Sequence, residues 1–213
     1  MLLVKEREQL VAFGKKLITS DLTTGSGGNI SIFNRDEGLI AITPSGMDYF
    51  ETEVDDILVV NIDGEVVEGK HKPSSETGMH LAFYKERPDA NAVVHTHSLF
   101  ATAVSCMGWT LEPVHYMVAM AGFEVPCAEY AVYGSMELAR NAVKAMGDRN
   151  AVLLANHGLI ALGSDVQSAF STAEHLEYVA KLYCICKTLG EPNILTKDQM
   201  LDVMKKFKTY RYR

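Results

Sequence analysis

Residues 29–34 (NISIFN) and 38–42 (GLIAI) are β-type runs around a polar Asn34-Arg35-Asp36 turn, and they read as a hairpin. The same economy recurs further on. Residues 151–155 (AVLLA) and 158–162 (GLIAL) are apolar runs broken only at Asn156-His157. The run at 57–62 ends at the turn Asp63-Gly64, and Glu65-Val66-Val67 leads back. A further strand is expected at 92–97. Helical spacing covers 4–19, 75–86, 98–106, 135–146, 165–189 and 197–208. The second of these stops before Pro88, and the long fifth is capped by Ser164 or Asp165 and ended by Gly190 and Pro192. Strands and helices intermingle without the steady βαβ rhythm of a doubly wound parallel sheet. The expected fold is α/β of the α+β kind, with a central, mainly antiparallel sheet flanked by helices. No repeat, low-complexity segment or linker interrupts residues 1–213, so one domain is expected.

Composition narrows the function classes. The net charge of −7 argues against a nucleic-acid partner or an anionic membrane surface. No apolar run approaches the roughly 18–20 residues that span a bilayer. The opening MLLVKEREQL turns charged after four residues, unlike a signal peptide. Four cysteines, Cys106, Cys127, Cys184 and Cys186, form no C-x-x-C pair. Reduced, structural thiols in a cytoplasmic protein are expected.

The stretch AVVHTHS, residues 92–98, places His95 and His97 at the end of an apolar strand. Residues i and i+2 of a strand share a face, so both imidazoles point to one place, where they can ligate a metal. LLANHGLIA delivers His157 at a break between two further strands. KPSSETG puts Glu76 at the start of a helix, where a carboxylate also suits the helix dipole without any function. Three histidines and one carboxylate make a four-ligand set for a divalent transition metal, most naturally Zn²⁺. An apolar-framed histidine is otherwise a hydrogen-bonded core residue.

Three loops suit an oxyanion. GSGGNIS (25–31) is glycine-rich, TPSG (43–46) is a tight turn, and PSSE (73–76) offers two hydroxyls and helix-start amides. Each is also what an ordinary turn looks like. GSGGN is neither a P-loop, lacking the Gly-Lys-Ser/Thr, nor a dinucleotide fingerprint, since it enters a strand rather than a helix.

GSGGNIS, ITPSG, KPSSE, VVHTHS, VHYMVAMAG and NHGLIA occur in the order seen in class II sugar-phosphate aldolases and epimerases, and the resemblance extends to KFKTY at 206–210. It implies Zn²⁺ held by His95, His97 and His157, with Glu76 as a displaceable fourth ligand. It places Gly28, Asn29, Ser45, Gly46, Ser74 and Ser75 on the phosphate site, and Tyr116 on a tyrosine that reaches a neighbouring subunit's site. Tyr133 falls near the aldehyde end, and Tyr210 on an aromatic of a mobile tail, 206–213. A C4 homotetramer is implied. Tyr133, where the fuculose-phosphate enzyme has Phe, and Glu129, in place of Pro, depart from that pattern.

Among the family's members, the pattern resembles fuculose-phosphate aldolase. That implies reversible cleavage of L-fuculose 1-phosphate, or a similar deoxyketose 1-phosphate, to dihydroxyacetone phosphate and L-lactaldehyde or a related short aldehyde. Two alternatives stand beside it. One is a ribulose-5-phosphate 4-epimerase type of retro-aldol chemistry, disfavoured because that pattern typically has Asp where this chain has Glu76. The other is a non-catalytic, zinc-stabilised binding domain, which would prefer four closed ligands. A Schiff-base mechanism is disfavoured, since no lysine lies in an apolar strand pocket.

Overall fold

The computed structural model describes residues 1–210, with side chains through Phe207. The strands are β1 (Asn29–Asn34), β2 (Leu39–Ile42), β3 (Leu58–Asn61), β4 (Val66–Glu68), β5 (Ala92–Thr96), β6 (Cys127–Ala128), β7 (Ala151–Leu154) and β8 (Gly158–Gly163). The helices are α1 (Val4–Thr19), α2 (Thr77–Glu86), α3 (Leu99–Cys106), α4 (Met136–Met146), α5 (Val166–Leu189) and α6 (Lys197–Tyr210). The strands join one sheet in the order β4-β3-β2-β1-β5-β8-β7-β6. Every neighbouring pair is antiparallel except β6 and β7. The expected mainly antiparallel sheet with flanking helices is therefore what the chain forms.

Period-2 alternation explains why helices cover both faces. Ala92 and Val94 of β5 enter one core with α1, α3 and α5, while Val93 enters another with α2 and α4. Neighbouring strands divide in the same way: Leu153 joins the first core, Val152 and Leu154 the second. The helix starts are local chemistry. Asp165 caps α5 by accepting from the Ser168 amide, and Ser168 reciprocates. Ser135 caps α4 through the Leu138 amide.

Three elements were not expected. β6 has only two residues, too few to show alternation. Two 3-10 turns, Val54–Asp56 and Tyr116–Met120, are likewise too short to carry a period. One boundary matters for the site. α2 begins at Thr77, so Glu76 stands just ahead of the helix, and its side chain makes no capping bond.

Candidate active site

Strand β5 turns the His95 and His97 rings toward one point, and the β7–β8 hairpin adds His157. That hairpin needs Asn156 in a left-handed conformation, φ +56°, which asparagine tolerates better than most residues. Gly158 follows because a Cβ there would overlap the Thr96 carbonyl. The loop before α2 brings Glu76 to the same point. The ligating atoms of Glu76, His95, His97 and His157 all lie within 4.8 Å of one another.

The proton positions follow from the partners. His95 Nδ1 donates to the Leu159 carbonyl at 3.0 Å, which leaves Nε2 with its lone pair. That Nε2 faces His97 Nε2 at 2.9 Å and Glu76 Oε2 at 3.1 Å. His157 Nε2 lies 3.4 Å from Glu76 Oε1, a buried oxygen with no hydrogen-bond partner. Electron-rich atoms thus converge, and a cation between them satisfies all four residues. The residues fit a divalent metal by donor type and by the backbone bond that orients His95.

Burial shapes the charges. It would raise the Glu76 carboxyl, but His95, the Asn29 amide and His157 outweigh it and hold it well below the usual carboxylate range. Burial, with His95 adding to it, pushes His97 and His157 down to about 4. Neutral imidazoles and an ionised carboxylate are the forms that ligate.

Beside this cluster is a cavity of about 360 Å³. Two of the expected phosphate loops are stitched together along its wall. Pro44 and Pro73 form an isolated bridge, the Ser45 amide donates to the Lys72 carbonyl at 2.9 Å, and the Ser74 amide to the Thr43 carbonyl at 3.3 Å. The glycine loop is anchored by the buried Tyr49, whose hydroxyl donates to the Gly28 carbonyl at 2.9 Å. Gly28, Asn29, Ser45, Gly46, Ser74, Ser75 and Glu76 all line the cavity, with Tyr133 at its edge. Among the described residues, no Lys or Arg lines it. An anion there meets backbone amides, hydroxyls and the N-terminal end of α2.

Residues 8–184 match the family described as Class II Aldolase and Adducin N-terminal domain. The chain belongs to this family. It is 53% identical over 210 residues to the 5-deoxy-D-ribulose 1-phosphate aldolase of Bacillus thuringiensis serovar kurstaki, covering 99% of each chain. It is 40% identical to the L-fuculose phosphate aldolase of Escherichia coli K12, over 90% of this chain and 89% of that one. A solved structure titled L-fuculose 1-phosphate aldolase superposes with a TM-score of 0.94 at 49% identity, covering 96% of both chains. The protein is a class II aldolase.

Within the aldolase chain, one residue named from the sequence does not line the cavity, and the side chain of another is not described. Tyr116 lies in the 3-10 turn, 48% exposed, and does not line the cavity. Tyr210 closes α6, but its side chain lies outside the described residues, as does the end of the 206–213 tail. Among the cavity residues not named as site residues from the sequence are Tyr130 and Asn156. Tyr130 lies three residues before Tyr133, and Asn156 adjoins His157. Tyr130 stands in CAEYAVYG, residues 127–134, together with Glu129 and Tyr133, and this clustering of aromatics was the available signal.

Proposed function

We propose that the protein is a zinc-dependent aldolase that cleaves a deoxyketose 1-phosphate to dihydroxyacetone phosphate and a short aldehyde. The observation that carries this reading is the convergence of three imidazoles and a carboxylate, within 4.8 Å, on the wall of a cavity lined by amide and hydroxyl donors. His95, His97 and His157 hold the zinc, with Glu76 as the fourth, displaceable ligand. When bound, zinc polarises the ketose carbonyl and stabilises the charge left on the three-carbon fragment.

The chain's own residues do the rest. Ser45, Ser74, Ser75 and the Gly28, Asn29 and Gly46 positions grip the phosphate, fixing the substrate away from the bond that breaks. In synthesis, ionised Glu76 takes the proton from C3 and the Tyr116 hydroxyl of a neighbouring subunit gives its proton to the oxygen that becomes the C4 hydroxyl; cleavage runs the same two transfers in reverse. Tyr133 faces the departing aldehyde. We read the assembly as a C4 homotetramer and the setting as cytoplasmic.

The identity of 53% to a 5-deoxy-D-ribulose 1-phosphate aldolase supports a five-carbon substrate over the six-carbon L-fuculose 1-phosphate. Two carbons beyond the broken bond give acetaldehyde; three give L-lactaldehyde. The deciding experiment assays 5-deoxyribulose 1-phosphate, L-fuculose 1-phosphate and L-ribulose 5-phosphate for triose-phosphate release, with and without a chelator. Release from the first two, abolished by chelation, supports the reading. Epimerised pentulose phosphate without triose phosphate establishes the epimerase alternative, and a zinc-bound but inert protein establishes a binding domain.

A further inference from the structure

Helix α2 and strand β1 share a line of polar side chains buried between apolar layers. His80 and Tyr84, four residues apart, share one face of α2, and Glu76 stands four residues before His80 at the helix start. Asn29 and Ser31 sit two apart on one strand face. All five are buried, His80 and Ser31 completely. Polar groups so placed must bond to each other, and they do. Asn29 Nδ2 lies 2.9 Å from Glu76 Oε2, and Asn29 Oδ1 lies 2.6 Å from His80 Nε2. His80 Nδ1 lies 2.7 Å from Ser31 Oγ, which lies 2.7 Å from the Tyr84 hydroxyl.

The carboxylate fixes the direction of every bond. Ionised Glu76 only accepts, so Asn29 must turn its NH₂ toward it and its carbonyl toward His80. A carbonyl also only accepts, so His80 must carry its proton on Nε2. Nδ1 is then bare and takes the single Ser31 hydroxyl proton, leaving Ser31 to accept from Tyr84. The run is one-way from Tyr84 to Glu76. Burial keeps His80 neutral at physiological pH, pushing it down to about 3, with the nearby His95 adding to the effect.

We infer that His80 is a positioning residue: its Nε2–H locks the Asn29 amide with nitrogen toward the cavity, pinning Glu76 by Oε2 and leaving Oε1 free. The lock matters because Asn29 touches two things at once. While Glu76 occupies the cluster, Asn29 Nδ2 holds it. Once Glu76 moves toward substrate, the same nitrogen faces the cavity and donates to a substrate oxygen. An unlocked amide rotates and presents its own oxygen to a carboxylate or an anion, which repels both. This role rests on the aldolase reading for its kinetic consequence, but the hydrogen-bond direction does not.

Two isosteres separate positioning from simple packing. Glutamine places an amide nitrogen near the imidazole Nε2, whereas asparagine reaches only the Nδ1 position. His80→Gln is expected to keep turnover within a few-fold. His80→Asn is expected to lower kcat on the order of 10–100-fold with normal zinc content and little change in the far-UV spectrum. Equal losses in both variants, or none in either, would overturn the role. Imidazole ¹⁵N NMR of the zinc-loaded wild-type protein tests the direction without any substrate. The expected His80 tautomer is Nε2–H with an unprotonated Nδ1. A proton on Nδ1 would overturn the inference even if both variants fail to fold. A correct tautomer in a protein inert toward ketose phosphates would sink the aldolase reading instead and leave the lock standing.

Discussion

Gly28, at φ +69°, lies against the backbone of His95, and a Cβ added there would come 2.7 Å from the His95 carbonyl oxygen. The glycine loop therefore presses on the strand that aims the imidazoles.

Gly28→Ala meets both backbone strain and that collision. Gly25 lies in the same loop at φ +59°, yet nothing lies within 4 Å of a Cβ there. Gly25→Ala is expected to cost only the strain, about 1–2 kcal/mol, and to keep its zinc affinity. Gly28→Ala is expected to lose more stability and to bind zinc more weakly, because β5 must shift. Chemical denaturation and zinc titration of both variants check this. Matching losses would mean that the contact with His95 does not set the site.

Glu76→Gln keeps the shape of the side chain and an oxygen for Asn29, but loses the base. Three imidazoles remain to hold the metal. Turnover is expected to fall on the order of 10²–10⁴-fold, while zinc stoichiometry stays near one per chain. Near-normal turnover would show that Glu76 only ligates and that the proton moves elsewhere.

Acid stability offers a separate check on the buried line behind the site. His80 is pushed down from 6.5 to about 3 by burial, with the nearby His95 adding to it. Below about pH 6.5 the unfolded chain therefore takes up a proton that the folded chain refuses until about pH 3. Stability is lost as pH falls through that window, at up to about 1.4 kcal/mol per pH unit for one proton. Removing the group removes its share. In metal-free protein, His80→Gln is expected to flatten the dependence of unfolding free energy on pH between 6 and 4. An unchanged slope would mean that folded His80 is protonated with the rest.

What was legible in the sequence follows from period. The unbroken apolar run Ala92-Val93-Val94 announced a buried strand, and the i, i+2 spacing placed His95 and His97 on one side. Cys127–Ala128 announced nothing, because a two-residue strand is defined by its partner β7 and not by its own pattern. The cluster was readable for a similar reason: each ligand sits at the end of an element whose direction the pattern fixes. The line from Tyr84 to Glu76 was not read, although its four-residue spacing is plain. Spacing along α2 gives a shared face, but Asn29 and Ser31 reach that face only once β1 is paired and helices cover the sheet. His80 in sequence is one histidine among seven on a helix. Only its complete burial and its two neighbours give it a direction.

Tyr116 provides the last test, because its place makes poor sense in an isolated chain. It stands 48% exposed beside the His115 ring, at 4.5 Å between centroids, and lines no part of its own chain's cavity. The run Ala119-Met120-Ala121-Gly122 that follows is small enough for close backbone approach. A tyrosine offers apolar contact area with a polar tip, which suits insertion into a neighbour. Repeated head-to-tail contacts of that kind close into a ring, and the resemblance to the sugar-phosphate aldolases implies four chains. Each site then takes Glu76 from one chain and Tyr116 from the next. Glu76→Gln and Tyr116→Phe homotetramers are both expected to be strongly impaired. Mixed tetramers are expected to regain part of the activity, because some boundaries pair an intact Glu76 with an intact Tyr116. Sedimentation at assay concentration verifies the mixing and the assembly state. Verified mixed tetramers without recovered turnover, or a monomer with full activity, would show that each chain completes its own site.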